Sequence, residues 1–180
     1  MENKYKQWIE GFKKTLTEKI GSNVSEDVIK SCETCREVTN DKEMATCVRA
    51  LMEGFDDKVP EESKRLEVME TLGSYCVSPM LDKVKEIRAR SDSPQELIQG
   101  LNELYGGEFF QLSGNQLKSK LEQCVCHFGV GSSSEPISPT YCKCSLGYMK
   151  TLFSTLFDRS VKVDLVESVL TGGKSYTWRI

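Results

Sequence analysis

The sequence predicts an α+β fold in which a helical N-terminal half is followed by a small antiparallel sheet with one packed helix. Apolar residues recur at three- and four-residue steps through the first part of the chain, which is typical of amphipathic helices. Short segments of alternating apolar residues then follow, and a glycine turn joins the last two. We expect a single domain over 1–180, with a helical part at 1–105 and a ligand- or metal-binding, sheet-containing part at 106–180.

Helical segments fill the first part, and most of their ends have a local cause. Gly21 ends the first helix, and Ser25 is the N-cap expected for a second helix that carries Cys-x-x-Cys near one side. Asn40 or Asp41 caps the third helix, and Pro79 interrupts the fourth. The predicted helices begin near Trp8, Glu26, Asn40 or Asp41, Val59, Met80 and Ser93.

Alternating segments mark the second part. A break at 105–107 precedes a short strand, and a longer alternation predicts a second strand that reaches the first Cys-x-Cys pair. A loop rich in Gly, Ser and Pro then leads into the packed helix. The predicted elements are strands at 109–112, 116–126, 161–169 and 176–180, a flexible loop at 129–139, a helix from Ser145 and a turn at 171–174.

Charge and hydropathy exclude two classes of partner. The chain has 24 Lys and Arg against 27 Asp and Glu, a net charge of −3 that does not suit a nucleic-acid binder. No apolar run approaches the ~20 residues of a membrane helix, and the N-terminus has no signal-peptide pattern. We therefore expect a cytoplasmic protein that binds neither nucleic acid nor membrane. Formation of a homodimer stays open.

Two Cys-x-Cys pairs stand out among the eight cysteines, because 15 residues separate them. Cys124 with Cys126, and Cys142 with Cys144, each present two sulfur atoms to one side of an extended segment. Four thiolates that meet suit zinc, with an iron–sulfur cluster as the alternative. His127, the single histidine, can replace one sulfur. Two other interpretations remain: inert reduced thiols, and a redox switch between the pairs.

The other four cysteines have less specific spacing. Cys32 and Cys35 form a Cys-x-x-Cys that serves either a function or core packing. Cys47 and Cys76 occupy apolar stripe positions of later helices, which predicts core residues.

An acidic residue lies in an apolar row of the predicted third strand. Glu167 shares a face with valines and a leucine, where a carboxylate is costly unless it is paired or neutralised. It is therefore a candidate catalytic residue with a raised pKa, or a group that orients a ligand. The alternative is a bulged or exposed strand end that leaves Glu167 in water. Tyr176 and Trp178 on the last strand can provide aromatic walls to the same pocket.

The C-terminal third resembles a known family over roughly its last 65 residues. Tyr-Cys-Lys-Cys-Ser-Leu-Gly-Tyr at 141–148, the run at 161–173 and Trp-Arg-Ile at 178–180 are similar to the L-2-amino-thiazoline-4-carboxylic acid hydrolase-like family and the 4-vinyl reductase-type small-molecule-binding domain. The resemblance implies an α+β ligand-binding module of bacteria and archaea whose cysteines hold a metal. Glu167 matches its acidic strand position, and Gly172-Gly173 its turn.

These observations predict a small-molecule-binding protein with a cysteine-held metal. The predicted ligand-binding residues are Tyr148, Tyr176 and Trp178. A second hypothesis is a hydrolase of a small amide- or thiazoline-like substrate that uses Glu167 or a metal-bound water. A third is a thiol redox or metal sensor. Whether the protein is an enzyme stays open.

Overall fold

The computed structural model describes residues 3–32, 35, 37–114, 116–124, 126, 128–133 and 135–180. Within these residues, eight α-helices precede or pack beside one four-stranded antiparallel sheet, so the predicted α+β class is confirmed. The helices are α1 Lys4–Lys19, α2 Ser22–Lys30, α3 Asp41–Lys58, α4 Glu62–Val77, α5 Leu81–Arg90, α6 Pro94–Tyr105, α7 Pro139–Cys142 and α8 Cys144–Phe157. The strands are β1 Phe110–Ser113, β2 Gln116–Leu121, β3 Asp164–Glu167 and β4 Tyr176–Arg179.

Side-chain caps start the helices where the sequence predicts them most clearly. The Asn40 side chain accepts a hydrogen bond from the Glu43 amide at 3.0 Å, which confirms Asn40 as the N-cap of α3. Ser93 accepts from the Glu96 amide at 3.3 Å, and Pro94 takes the first position of α6. Both caps use local hydrogen bonds that depend little on the rest of the fold.

The second helix differs from its predicted bounds. It begins at Ser22, immediately after Gly21. Gly21 has a φ of 118°, a backbone conformation that glycine adopts readily and other residues rarely do. Ser25 is not its cap, because the Ser25 hydroxyl is buried and donates to the Lys13 carbonyl at 3.1 Å. The helix ends at Lys30, so Cys32 and Cys35 lie beyond it rather than on its face.

The sheet has the strand order β1-β2-β4-β3, and every neighbouring pair is antiparallel. Leu117 and Ser119 on β2 are buried, as the predicted alternation requires. The prediction that β2 continues to Cys126 is wrong. Leu121 pairs with Tyr176, the first residue of β4, so the chain beyond Leu121 has no partner strand there. Cys124 and Cys126 therefore lie in the connection that follows the strand.

The third strand is shorter than predicted and irregular. Its pairing with β4 shifts register between Leu165 and Glu167, and the strand ends at Glu167. Val169 already begins a 3-10 turn that closes at Gly172, with a φ of 90°. The irregularity removes Glu167 from the apolar row, which agrees with the bulged alternative.

The connection before α7 packs against the body of the protein, although its composition predicts a flexible loop. Val130 and Ile137 are buried, and the Ile137 amide donates to the Leu170 carbonyl at 3.1 Å. Besides these two apolar residues, the ion pair between Glu135 and Arg49 and the hydrogen bond from Ser138 to Asp56 tie the connection to α3.

The helices α4 and α8 pack closely against each other. A methyl group added at Gly73 would overlap the Cys144 carbonyl, and one added at Gly147 would overlap the Glu70 carbonyl. The two helices therefore meet backbone to backbone, and both contribute to one wall of the cavity described below. Among the described residues, no helix combines the length and apolar character needed to cross a bilayer.

Candidate ligand cavity and cysteine cluster

A cavity of about 360 Å³ lies where α4, α8 and the inner face of the sheet meet. Residues from distant parts of the chain line it, including both tryptophans, Trp8 on α1 and Trp178 on β4. The described lining residues carry no charged side chain. They are Trp8, Gly73, Cys76, Tyr105, Phe109, Phe110, Leu121, Cys124, Cys126, Phe128, Tyr141, Cys142, Cys144, Ser145, Tyr148, Met149, Tyr176 and Trp178.

Five of the eight cysteines line this cavity. They are Cys76, Cys124, Cys126, Cys142 and Cys144. Two of their sulfur atoms contact hydroxyl groups. Cys126 Sγ lies 3.1 Å from the Tyr141 hydroxyl, and Cys142 Sγ lies 2.9 Å from Ser168 Oγ and 3.3 Å from the Tyr176 hydroxyl. The structure thus brings both Cys-x-Cys pairs to one cavity. Cys76 also lines this cavity, although its apolar stripe position predicts a core residue.

Burial favours the protonated form of four of these thiols. It raises the pKa of Cys76 to about 11, and it also raises the pKa of Cys126, Cys142 and Cys144. A protonated thiol is a weak nucleophile and a poor metal ligand, so the cavity does not favour reactive-thiol chemistry by itself. A bound cation would reverse this, because it stabilises the thiolate form.

Aromatic side chains also line the cavity. The Tyr176 and Trp178 rings stack with centroids 5.4 Å apart, and Trp178 Nε1 donates to Ser145 Oγ at 3.0 Å. The hydroxyls of Tyr105 and Tyr148 lie 2.5 Å apart. Burial raises the pKa of both tyrosines. Tyr148, Tyr176 and Trp178 therefore share one cavity, while their role in ligand binding stays a prediction.

The four cysteines that are predicted to bind a metal share the cavity but do not converge on one point. Within the described part of the chain, no three of the cavity sulfurs lie within 4.8 Å of one another. His127 lies outside the described residues. The assignment of Cys124, Cys126, Cys142, Cys144 and His127 to a metal stays a prediction.

A second group of cysteines does converge. Cys32, Cys35 and Cys47 place their sulfur atoms within 4.8 Å of one another, and this group can hold a metal ion. All three side chains are buried, and Cys35 Sγ is at disulfide-bonding distance from both other sulfurs. The apolar stripe position of Cys47 predicts a core residue. That position gives no indication that Cys32 and Cys35 lie beside it. The signal that was present is the concentration of three cysteines within 32–47.

Glu167 lies outside the cavity lining and accepts hydrogen bonds from the turn before β4. Its carboxylate accepts hydrogen bonds from the Lys174 amide at 3.0 Å and from Ser175 Oγ at 2.6 Å. The Ser175 hydrogen bond is the main cause that lowers the pKa of Glu167. The expectation of a raised pKa is therefore wrong, because the carboxylate has partners that favour its charged form. Its catalytic role stays a prediction.

The fold and the cavity define an α+β protein with a cavity whose described lining residues are uncharged and include thiols and aromatic rings. The chain belongs to the DUF6144 family, a family of unknown function, whose family model matches residues 8–180. That match includes every cavity residue from Trp8 to Trp178. No curated protein matches the chain.

Proposed function

We propose that this chain is a small-molecule-binding protein and that the cavity is its binding site. The observation that carries the proposal is a cavity of about 360 Å³ with aromatic walls and few polar groups. Ligand pockets of proteins have volumes of about 300–1,000 Å³ and the same mixture of apolar walls with a few placed polar groups.

The lining determines what kind of molecule fits. The described lining residues are uncharged, so an ionic ligand would lose its hydration without gaining a counter-charge. The stacked Tyr176 and Trp178 rings offer a flat aromatic surface. The Tyr105–Tyr148 hydroxyl pair offers hydrogen bonds at one edge. We propose an uncharged, largely apolar ligand with one hydrogen-bonding group.

The proposal includes a metal held by Cys124, Cys126, Cys142 and Cys144 in the cavity wall, zinc or an iron–sulfur cluster. A single zinc ion needs its sulfur ligands close together, at about 2.3 Å from the metal. Because no three described cavity sulfurs lie within 4.8 Å of one another, their spread suits a multi-atom iron–sulfur cluster better. The reducing cytoplasm, where we place the protein, keeps such thiols available.

Two alternatives have less support. A hydrolase that uses Glu167 conflicts with the position of this carboxylate, which is engaged by the Lys174 amide and Ser175 outside the cavity. A thiol sensor needs thiolates, and burial raises the pKa of the cavity thiols Cys126 and Cys142.

A neutral fluorescent probe tests ligand binding. N-phenyl-1-naphthylamine is apolar and uncharged at neutral pH, and its emission rises in an apolar site. Leu121→Trp adds volume at the cavity wall, and Leu112→Trp is its matched control, a half-buried leucine of the same sheet outside the lining. We expect saturable binding by the wild-type chain, at least about tenfold weaker binding by Leu121→Trp, and unchanged binding by the control. An absence of saturable binding, or equal binding by all three chains, contradicts the proposed site.

Metal analysis tests the proposed metal in the cavity wall. Protein purified without oxygen and without added metal is measured for iron, sulfide and zinc, with and without Cys124→Ser and Cys126→Ser. The cluster interpretation requires iron, sulfide and visible absorption that the double variant loses. Light scattering on the same sample measures the oligomeric state and tests the homodimer.

A further inference from the structure

We infer that Cys32, Cys35 and Cys47 form a separate site for a single thiophilic divalent ion of the zinc class. This site differs in position and chemistry from the cavity. None of its three cysteines lines the cavity, and its sulfur atoms lie within 4.8 Å of one another. The inference does not depend on the proposed ligand.

Two separate pieces of backbone bring the sulfurs together. Cys32 follows the end of α2, and the Cys35 amide turns back to donate to the Cys32 carbonyl at 3.4 Å. Cys47 comes from the middle of α3. The Cα atoms of Cys32 and Cys35 are 5.5 Å apart, and those of Cys35 and Cys47 are 5.2 Å apart. A Cys-x-x-Cys turn that faces a cysteine of the next helix is an arrangement in which three thiolates can bind one ion.

Valence favours an ion over a disulfide. A cysteine sulfur forms one sulfur–sulfur bond, so a disulfide of Cys35 joins either Cys32 or Cys47, whereas three sulfurs share this cluster. Either disulfide would leave the third thiol buried beside it. One divalent ion satisfies all three sulfurs at once. Binding then needs no oxidant: three thiols lose their protons to solvent, and three sulfur–metal bonds form.

Burial and ligand number fit zinc chemistry. The three residues are 7% exposed or less, which makes them inaccessible to bulk water. Among the described residues, no other histidine, cysteine, aspartate or glutamate joins the group, so this part of the chain supplies three of the four ligands of a tetrahedral ion. The ion would tie the end of α2 to α3, a structural role.

Cobalt substitution tests the site in the full-length chain. The reduced, metal-free protein is titrated with Co²⁺, and sulfur-to-cobalt charge transfer in the near ultraviolet reports each thiolate ligand. Cys47→Ser removes one ligand, and Cys76→Ser is the matched control, a helical cysteine outside the cluster. All chains in this titration also carry Cys124→Ser and Cys126→Ser, which removes two ligands of the proposed cavity metal. We expect a signal that saturates at one equivalent in this parent chain, persists when Cys76→Ser is added and is lost when Cys47→Ser is added. A signal that the chain with Cys47→Ser retains overturns the inference.

A second measurement needs no variant. The wild-type chain is alkylated in mild denaturant with Zn²⁺ or with a chelator, and each cysteine is mapped by mass spectrometry. The inference requires Zn²⁺ to protect Cys32, Cys35 and Cys47. A mass lower by two hydrogens before reduction, together with no Zn²⁺ protection after reduction, shows a disulfide and overturns it. Loss of cavity iron in Cys124→Ser and Cys126→Ser leaves this result unaffected, so the two metal proposals fail independently.

Discussion

Replacing Gly147 by alanine should destabilise the protein, although alanine is the better helix former. Gly147 lies on α8, where its Cα faces the backbone of α4. The added methyl group would overlap the carbonyl of Glu70, a backbone group that cannot rotate away. The two helices must separate, and the cavity wall that they share must shift with them.

The expected magnitude follows from two opposing effects. Overpacking a core costs about 1–3 kcal/mol, and a backbone obstacle puts Gly147→Ala at the upper end, about 3 kcal/mol. Alanine in place of glycine in a helix contributes about 1 kcal/mol in the other direction. The net loss in the free energy of unfolding is about 2 kcal/mol, which lowers Tm by about 4–8 °C in a chain of this size.

Gly11→Ala is the matched control. Gly11 lies on α1, and a methyl group there would meet only Leu72 Cδ1 at 3.7 Å, an ordinary contact. This variant should raise Tm by about 2–4 °C, because it gains the helix preference without an overlap. Thermal unfolding followed by circular dichroism measures both variants. If Gly147→Ala melts at or above the wild-type temperature, the close packing of α4 against α8 is wrong.

Two pH-dependent predictions concern single side chains. Burial raises the pKa of Cys76 from 9.0 to about 11. The stability that its neutral form contributes is complete below pH 9 and is lost as the pH rises towards 11, on the order of 2 kcal/mol. Urea unfolding at pH of about 8 and about 10.5 should show a smaller loss in Cys76→Ala, and equal losses would contradict this. For Glu167, the Ser175 hydrogen bond lowers the pKa, so its stabilising contribution is present above the ordinary value of 4.5 and is lost as the pH falls through the lowered one. Glu167→Gln should therefore lose less stability between neutral and acidic pH than the wild-type chain, and a steeper loss in the variant would refute the role of this carboxylate in the turn.

Local hydrogen bonds made parts of the fold predictable. The caps at Asn40 and Ser93 follow from side chains that bond to amides three residues ahead. The end of β2 was not predictable in this way. Leu121 is its last residue because β4 begins at Tyr176, and a strand ends where its partner ends. The alternation beyond Leu121 had no structural counterpart.

The cysteine groups were also only partly predictable from the sequence. The spacing of the two Cys-x-Cys pairs was enough to place Cys124, Cys126, Cys142 and Cys144 in one region. It could not show that their sulfurs spread around a cavity instead of meeting at a point. The three sulfurs that do meet include Cys47, whose place is determined by the packing of α3 beside the end of α2. Such packing leaves no periodic trace in the sequence.

The cavity lining extends from Trp8 on the first helix to Trp178 on the last strand. No single segment contains the whole lining of the proposed binding site, so a ligand bound there would hold the first helix and the last strand together. By mass action, a ligand at one hundred times its Kd adds about 2.7 kcal/mol to the stability of the whole chain. Ligand binding and global unfolding are then thermodynamically linked. A rise in Tm of about 5–11 °C would reveal a ligand before its chemistry is known.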